Sequence, residues 1–161
     1  MITVVRAGPL HCGEMAELLN EIISIGGTTA LSKPVTASNL RDWMDRAPSK
    51  SAWHVAEEVS GSVVGFQWIE PVDYLPAEAA EIATFARVGK TGLGIGSKLF
   101  TATAEAARQL GYAWINANIR ADNLSGLAYY QSRGFEAYGR NTGVTLDNGQ
   151  VVDKVLKRFD L

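Results

Sequence analysis

The sequence predicts a mixed α/β fold: a central, largely antiparallel sheet of about seven strands flanked by about four helices. Three observations predict it. Short apolar runs bounded by turn residues recur along the chain, two pairs of them joined by the hairpin signals Ser60-Gly61 and Asp147-Asn148-Gly149. A long amphipathic pattern occupies 95–110. Between a strand-like run and that helix stands the glycine-rich stretch Gly89-Lys90-Thr91-Gly92-Leu93-Gly94-Ile95-Gly96-Ser97. The element order reads β-α-α-β-β-β-α-β-α-β-β, without repeats, low-complexity segments or a linker, so residues 1–161 are expected to form a single domain.

Residues 2–6 form the first expected strand. Met15, Leu18, Leu19, Ile22 and Ile23 share one face of a helix over 12–25, which Gly26-Gly27 ends. After a loop through Pro34, Thr36 or Ser38 caps a helix over 39–46 carrying Leu40, Trp43 and Met44, and Pro48 stops it. Strands are expected at 52–58, 63–70 and 80–87, with a loop from Pro71 to Pro76. In the helix over 95–110, Ile95, Leu99, Ala102, Ala106 and Leu110 recur at helical spacing, and Gly111 fits its C-terminal cap. Trp114 to Ile119 is a strand. Ser125 to Arg133 is a short helix ended by Gly134-Phe135, and strands at 137–146 and 151–159 close the chain.

Composition narrows the function classes. At 47% apolar and 20% charged the chain is not a disordered one. A formal charge of −2, with no long basic run, fits nucleic acid poorly. The single Cys12 excludes an intrachain disulfide and reads as a small buried residue. The N-terminus lacks a charged segment followed by a long apolar one, and no run of about 18 apolar residues exists. No signal peptide or membrane span is therefore expected, and a cytoplasmic enzyme or binding protein is the default. For the same reason Asn123-Leu124-Ser125 carries no weight as a glycosylation site. His11 and His54 are isolated, read as satisfied or exposed, and no metal-ligand spacing appears. The four tryptophans read as core or rim packing, with Trp68 placed to wall a pocket.

The glycine stretch presents backbone N–H groups at a helix N-terminus, a setting for phosphate. Gly89-Lys90-Thr91 imitates the end of a nucleoside-triphosphate loop, but the leading glycine falls at Thr84. Gly92-Leu93-Gly94 could open a dinucleotide fingerprint with Ser97 in third place. The next strand, however, offers Asn116 and Asn118 where an acid should take the ribose hydroxyls.

Coenzyme A is the third ligand class. Thr91-Gly92-Leu93-Gly94-Ile95-Gly96, continuing into Ser97-Lys98-Leu99-Phe100, resembles the Q/R-x-x-G-x-G/A signature of the GNAT superfamily of N-acetyltransferases. Residues Asn123 to Phe135 resemble its second signature, N-x-x-A-x-x-x-Y-x-x-x-G-F, one helix and one strand downstream. Thr91 stands where the signature carries Arg or Gln, leaving a hydroxyl for the pyrophosphate alongside the backbone donors and Lys90 or Lys98. Gly126 replaces the usual Ala. The N-terminal loop, Glu81 and the C-terminal Lys157-Arg158-Phe159-Asp160-Leu161 look like the phosphinothricin and methionine-sulfoximine acetyltransferase branch. The loop Thr28 to Lys33 departs from that branch's aromatic and arginine pattern.

The resemblance implies acetyl-CoA as co-substrate, no metal, a small-molecule amine as acceptor and a homodimer. It implies that Thr91, Gly92, Leu93, Gly94, Ile95, Gly96 and Ser97 hold the pyrophosphate. It also implies that the strand around Phe85-Ala86 splays from 114–119, so that its freed backbone takes the pantetheine arm and supplies an oxyanion donor. Tyr130 falls at the general acid's position, or is a core aromatic beside Tyr129. Glu81 is a candidate base, or an exposed strand glutamate. Asn123 contacts the coenzyme or opens the helix as an Asx turn, and Gly126 permits close approach. Acetylation of a protein N-terminus or lysine, and a non-catalytic CoA sensor, are the alternatives.

Overall fold

A computed structural model describes residues 1–90 and 94–161. Among them, seven strands form one sheet in the order β1-β2-β3-β4-β5-β7-β6. These are β1 (Thr3–Arg6), β2 (Ala52–Glu57), β3 (Val63–Glu70), β4 (Ala79–Ala86), β5 (Trp114–Arg120), β6 (Glu136–Thr145) and β7 (Val151–Asp160). The helices are α1 (Cys12–Ile25), α2 (Ala37–Met44), α3 (Ile95–Gln109) and α4 (Leu124–Ser132), so the expected elements appear in the expected order. Neighbouring strands are antiparallel except β4 and β5, which α3 connects as a crossover.

Helices cover both faces. On one, Met15, Leu18 and Leu19 of α1 and Leu40 of α2 pack against Val55, Phe66 and Trp68. On the other, Phe100, Ala104 and Ala107 of α3 and Tyr130 of α4 pack against Ile69, Ile82 and Ile115. Successive side chains of β3 alternate between these layers, so every residue from Val63 to Ile69 is buried. The buried face of α3 is shifted from its sequence spacing: Ala102 and Leu110 are only half-buried, whereas Phe100, Thr103, Ala104 and Ala107 are buried, with Phe100 packed on Phe135 and Phe159 beyond the sheet's central strands.

Local chemistry fixes the ends. The Thr36 hydroxyl accepts from the Asn39 N–H at 3.1 Å, and the Asn39 side chain accepts from the Thr36 N–H at 2.9 Å. That reciprocal cap starts α2 at Ala37, ahead of the expected position, and the helix ends at Met44, short of Pro48.

One departure from regular pairing positions everything that follows. β4 and β5 pair at only three rungs, Ala79–Trp114, Ala80–Ile115 and Glu81–Asn116. Beyond Glu81 the two strands separate, leaving β4 from Ile82 to Ala86 and β5 from Ala117 to Arg120 without a mutual ladder.

Candidate active site

The parting strands open a cleft of about 1030 Å3. Glu81 to Ala86 of β4 form one wall, and Asn118 to Arg120 at the end of β5 form part of the other. Gly94 to Ser97 at the start of α3 and Asn123, Gly126, Tyr129, Tyr130 and Arg133 on or beside α4 close one end. Thr28 to Leu31, Trp43, Trp68, Glu70, Tyr74 and Lys154 are among the residues that line the remainder, with Arg46, Arg87 and Lys90. The expected residues Glu81, Phe85, Ala86, Gly94, Ile95, Gly96, Ser97, Asn123, Gly126 and Tyr130 thus border one cavity. Thr91, Gly92 and Leu93 lie outside the described residues.

Glu81 occupies the last paired rung before the strands part. Its Oε1 accepts from Asn116 Nδ2 at 2.7 Å, and its Oε2 accepts from the Tyr74 hydroxyl. Burial pushes its carboxyl above the ordinary carboxylate range, while those hydrogen bonds and Lys154 pull against the shift. The residue is a half-buried carboxylate in a hydrogen-bonded setting, not an exposed strand glutamate.

Tyr130 is buried and borders the cleft, with Phe135 edge-on to its ring. Its oxygen lies 2.8 Å from Thr84 Oγ1 on β4. Burial raises its phenol pKa, and the Thr84 hydrogen bond pulls it back down. The neighbouring Tyr129 points to α3: its hydroxyl donates to the Gly96 carbonyl at 2.7 Å and accepts from Gln67 Nε2 at 3.1 Å. Burial pushes that phenol to about 12.

Gly96 is small because Tyr129 needs the room: a methyl there would come 2.5 Å from the ring. Gly126 serves Asn123 in the same way, since a methyl would stand 2.4 Å from the Asn123 amide nitrogen. Asn123 Oδ1 accepts from the Gly126 N–H at 3.0 Å and caps α4, while Nδ2 donates to the Thr28 carbonyl at 3.1 Å. Ile95 borders the cleft but its side chain belongs to the core with Leu99 and Val64.

Of the lysines expected near the phosphate, Lys90 borders the cleft but is paired, and Lys98 turns away from it. Lys90 Nζ lies 3.2 Å from Glu58, and Lys98 donates to the Ile2 carbonyl at 3.0 Å. The cation at the start of α3 is Arg133, which donates to Ser97 Oγ at 2.6 Å. At the opposite end, Trp68 stacks on Trp53 with ring centres 4.1 Å apart and packs against Trp43 and Phe85. Trp68 is therefore both core and cleft wall, and Phe85 turns its ring into this cluster.

Sequence reasoning missed Gln67, Thr84, Arg133 and Lys154. The signal for Gln67 was available: a lone amide inside the apolar strand VVGFQWIE demands partners. Arg133 and Lys154 gave none, because their approach to the cleft depends on long-range packing.

A strand edge with free amide and carbonyl groups, leading to a helix N-terminus, suits an amide-bearing arm that ends in phosphate. Residues 15–135 match the model of the acetyltransferase (GNAT) family. The chain belongs to that family. It is an N-acetyltransferase. Among solved structures, a phosphinothricin acetyltransferase from Sinorhizobium meliloti in complex with AcCoA is 20% identical, at a TM-score of 0.88 over 99% of this chain and 88% of that one. A ribosomal-protein-alanine N-acetyltransferase from Brucella melitensis is 23% identical, with a TM-score of 0.89 over 99% of each chain. A GCN5-related N-acetyltransferase from Kribbella flavida is 22% identical, with a TM-score of 0.85 over 99% and 98%. None of the curated proteins matches the chain. Among the described residues no helix is long and apolar enough to cross a membrane.

Proposed function

We propose that this GNAT acetyltransferase transfers acetyl to the amino group of a small molecule. The acceptor is a free amino acid or an analogue of the phosphinothricin or methionine-sulfoximine type, and residues 1–161 act as one catalytic domain. The observation that carries the reading is a pair of opposite charges in the cleft: Glu81 where β4 and β5 part, and Lys154 on β7, close enough to act on it. Among the described residues Lys154 has no ion-pair partner. An α-amino acid carries an ammonium and a carboxylate a few bonds apart, which suits a fixed anion and a fixed cation facing one cavity.

In this reading Glu81, its proton affinity raised by burial, takes a proton from the acceptor ammonium directly or through water. A β4 backbone N–H near Phe85-Ala86 donates to the carbonyl oxygen as it gains charge. Tyr130 gives its hydroxyl proton to the departing sulfur. The backbone N–H groups of Gly94 to Ser97 hold the pyrophosphate, with Arg133 nearby and Asn123 beside them. The likeness to the Brucella melitensis enzyme motivates the alternative, a protein N-terminus as acceptor. A homodimer acting in the cytoplasm completes the proposal, drawn from the branch resemblance. A solution mass near 17.3 kDa by light scattering overturns the dimer.

The test is free-thiol release from acetyl-CoA with a panel of amino acids, phosphinothricin, methionine sulfoximine and short peptides. Release with one or more of the small acceptors is expected. Release with peptides alone, or with no acceptor, overturns the small-amine reading.

A further inference from the structure

We propose that Gln67 and Thr84 are positioning residues that aim the hydroxyl hydrogen of Tyr130 out into the cleft, towards the departing sulfur. The proposal rests on Tyr130 being the general acid.

The argument begins at a backbone carbonyl. The Gly96 C=O can only accept, so the one hydrogen of the Tyr129 hydroxyl, 2.7 Å away, is committed to it. The Tyr129 oxygen must then accept from Gln67, 3.1 Å away, which fixes Gln67 with its NH2 towards Tyr129. The same NH2 group lies 2.8 Å from Thr84 Oγ1 and donates there. With its oxygen accepting from Gln67, the Thr84 hydroxyl has its own hydrogen to place. Among the described residues the Tyr130 oxygen, 2.8 Å away, is the only acceptor recorded for it. Thr84 therefore donates to Tyr130, and the Tyr130 hydrogen is free to leave the chain of bonds.

Burial makes that direction rigid. Gln67 is fully buried, Tyr130 is 8% exposed and Thr84 between them is half-buried, so water reaches these groups only from the cleft side. The cost is visible in Gln67 Oε1, which is buried with no hydrogen-bond partner. A leucine in its place would avoid that orphan atom, and would also release Thr84 to accept from Tyr130. The Thr84 bond has a second effect. It remains as a donor to the phenolate after the proton has gone, opposing the burial that makes Tyr130 a weaker acid.

The step balances. The acceptor nitrogen forms a bond to the acetyl carbon, the carbon–sulfur bond breaks, and sulfur leaves with its electron pair. Sulfur takes the Tyr130 proton. Tyr130 regains a proton from the one that nitrogen sheds, through solvent in the cleft, while Thr84 and Gln67 keep theirs.

The experiment is a mutant cycle read by thiol release from acetyl-CoA, with the acceptor panel above and with water as acceptor. Thr84→Val, of nearly the same shape, is expected to lower kcat about ten-fold, a fraction of the effect of a general acid, with the KM for acetyl-CoA within about two-fold of the parent. Thr84→Ser restores the rate. Gln67→Glu, of equal size but without amide hydrogens, slows turnover likewise. In a Tyr130→Phe background, Thr84→Val adds no further loss. Circular dichroism establishes that each variant folds, and Thr84→Val with its serine rescue carries the test where Gln67→Glu does not. An equal loss from Thr84→Val with and without Tyr130, or full activity of Thr84→Val, overturns the relay while Tyr130 stands. Full activity of Tyr130→Phe, or no thiol release by the parent with any acceptor, overturns the general-acid reading and the relay with it.

Discussion

His54 lies on β2 between Arg6 of β1 and Gln67 of β3, and is only 6% exposed. Its Nδ1 is buried without a partner, so it is neither satisfied nor exposed, the two states its isolation in the sequence suggests. Burial, and then the Arg6 charge, lower its pKa from 6.5 to about 4. The unfolded chain takes up a proton near pH 6.5, whereas the fold refuses it until about pH 4. Stability from this residue is therefore complete above about pH 6.5 and is lost as the pH falls towards 4, to a total of ~3 kcal/mol. Thermal or urea unfolding between pH 7.5 and 4.5 should show a steeper loss in the parent than in His54→Leu. Parallel curves would remove His54 from the account. Tyr130 was legible as a candidate from its place in the second signature and Glu81 from the branch resemblance, and both border the cleft. Gln67 was legible only as an oddity in an apolar strand, and its partners Thr84 and Tyr129 had to be seen.

At the scale of elements, α3 and α4 meet through the Tyr129–Gly96 contact. Gly96 reads in sequence as a phosphate-loop glycine, and its second duty to Tyr129 is invisible there because the partners stand 33 residues apart. Gly96→Ala should displace the Tyr129 ring and lose its bond to the Gly96 carbonyl. The expected cost is about 1–3 kcal/mol of stability from overpacking. Acetyl-CoA binding should weaken as well, since the first turn of α3 must shift. Scanning calorimetry and titration calorimetry check the two effects, and an unchanged Tm with unchanged affinity would contradict the packing argument. Element types were legible because the apolar periods and turn residues agree with the tertiary layers. The exact buried face of α3 was not, since which residues sink depends on partners such as Phe135 and Phe159 that stand far along the chain.

At the scale of the whole molecule, the strand order follows only in part from connectivity, since β7 rather than the earlier β6 pairs with β5. Short hairpins make β2–β3 and β6–β7 antiparallel neighbours, and α3 carries the chain across to make β5 the parallel partner of β4. The tie between the N-terminal loop and the far side of the cleft does not follow from connectivity. Arg120 at the end of β5 is 5% exposed; it grips Asp122 with two nitrogens, at 3.0 and 2.8 Å, and donates Nη1 to the Thr29 carbonyl at 3.1 Å. Asn123 adds the bond to the Thr28 carbonyl. These bonds cross 91 and 95 residues of sequence and hold the 28–31 loop against the cleft. Asp122 is exposed, so solvent can replace its partner, whereas the Thr29 carbonyl loses a charged donor when Arg120 is cut back. Arg120→Met should therefore destabilise the fold by about 1–3 kcal/mol and speed hydrogen exchange at residues 26–33 more than elsewhere. With the loop released, the KM for the acceptor should rise while acetyl-CoA affinity stays near that of the parent, because the Gly94–Ser97 end of the cleft is untouched. Uniformly faster exchange throughout the chain, or an acceptor KM that does not move, would show that Arg120 supports the sheet alone and does not hold the loop at the acceptor.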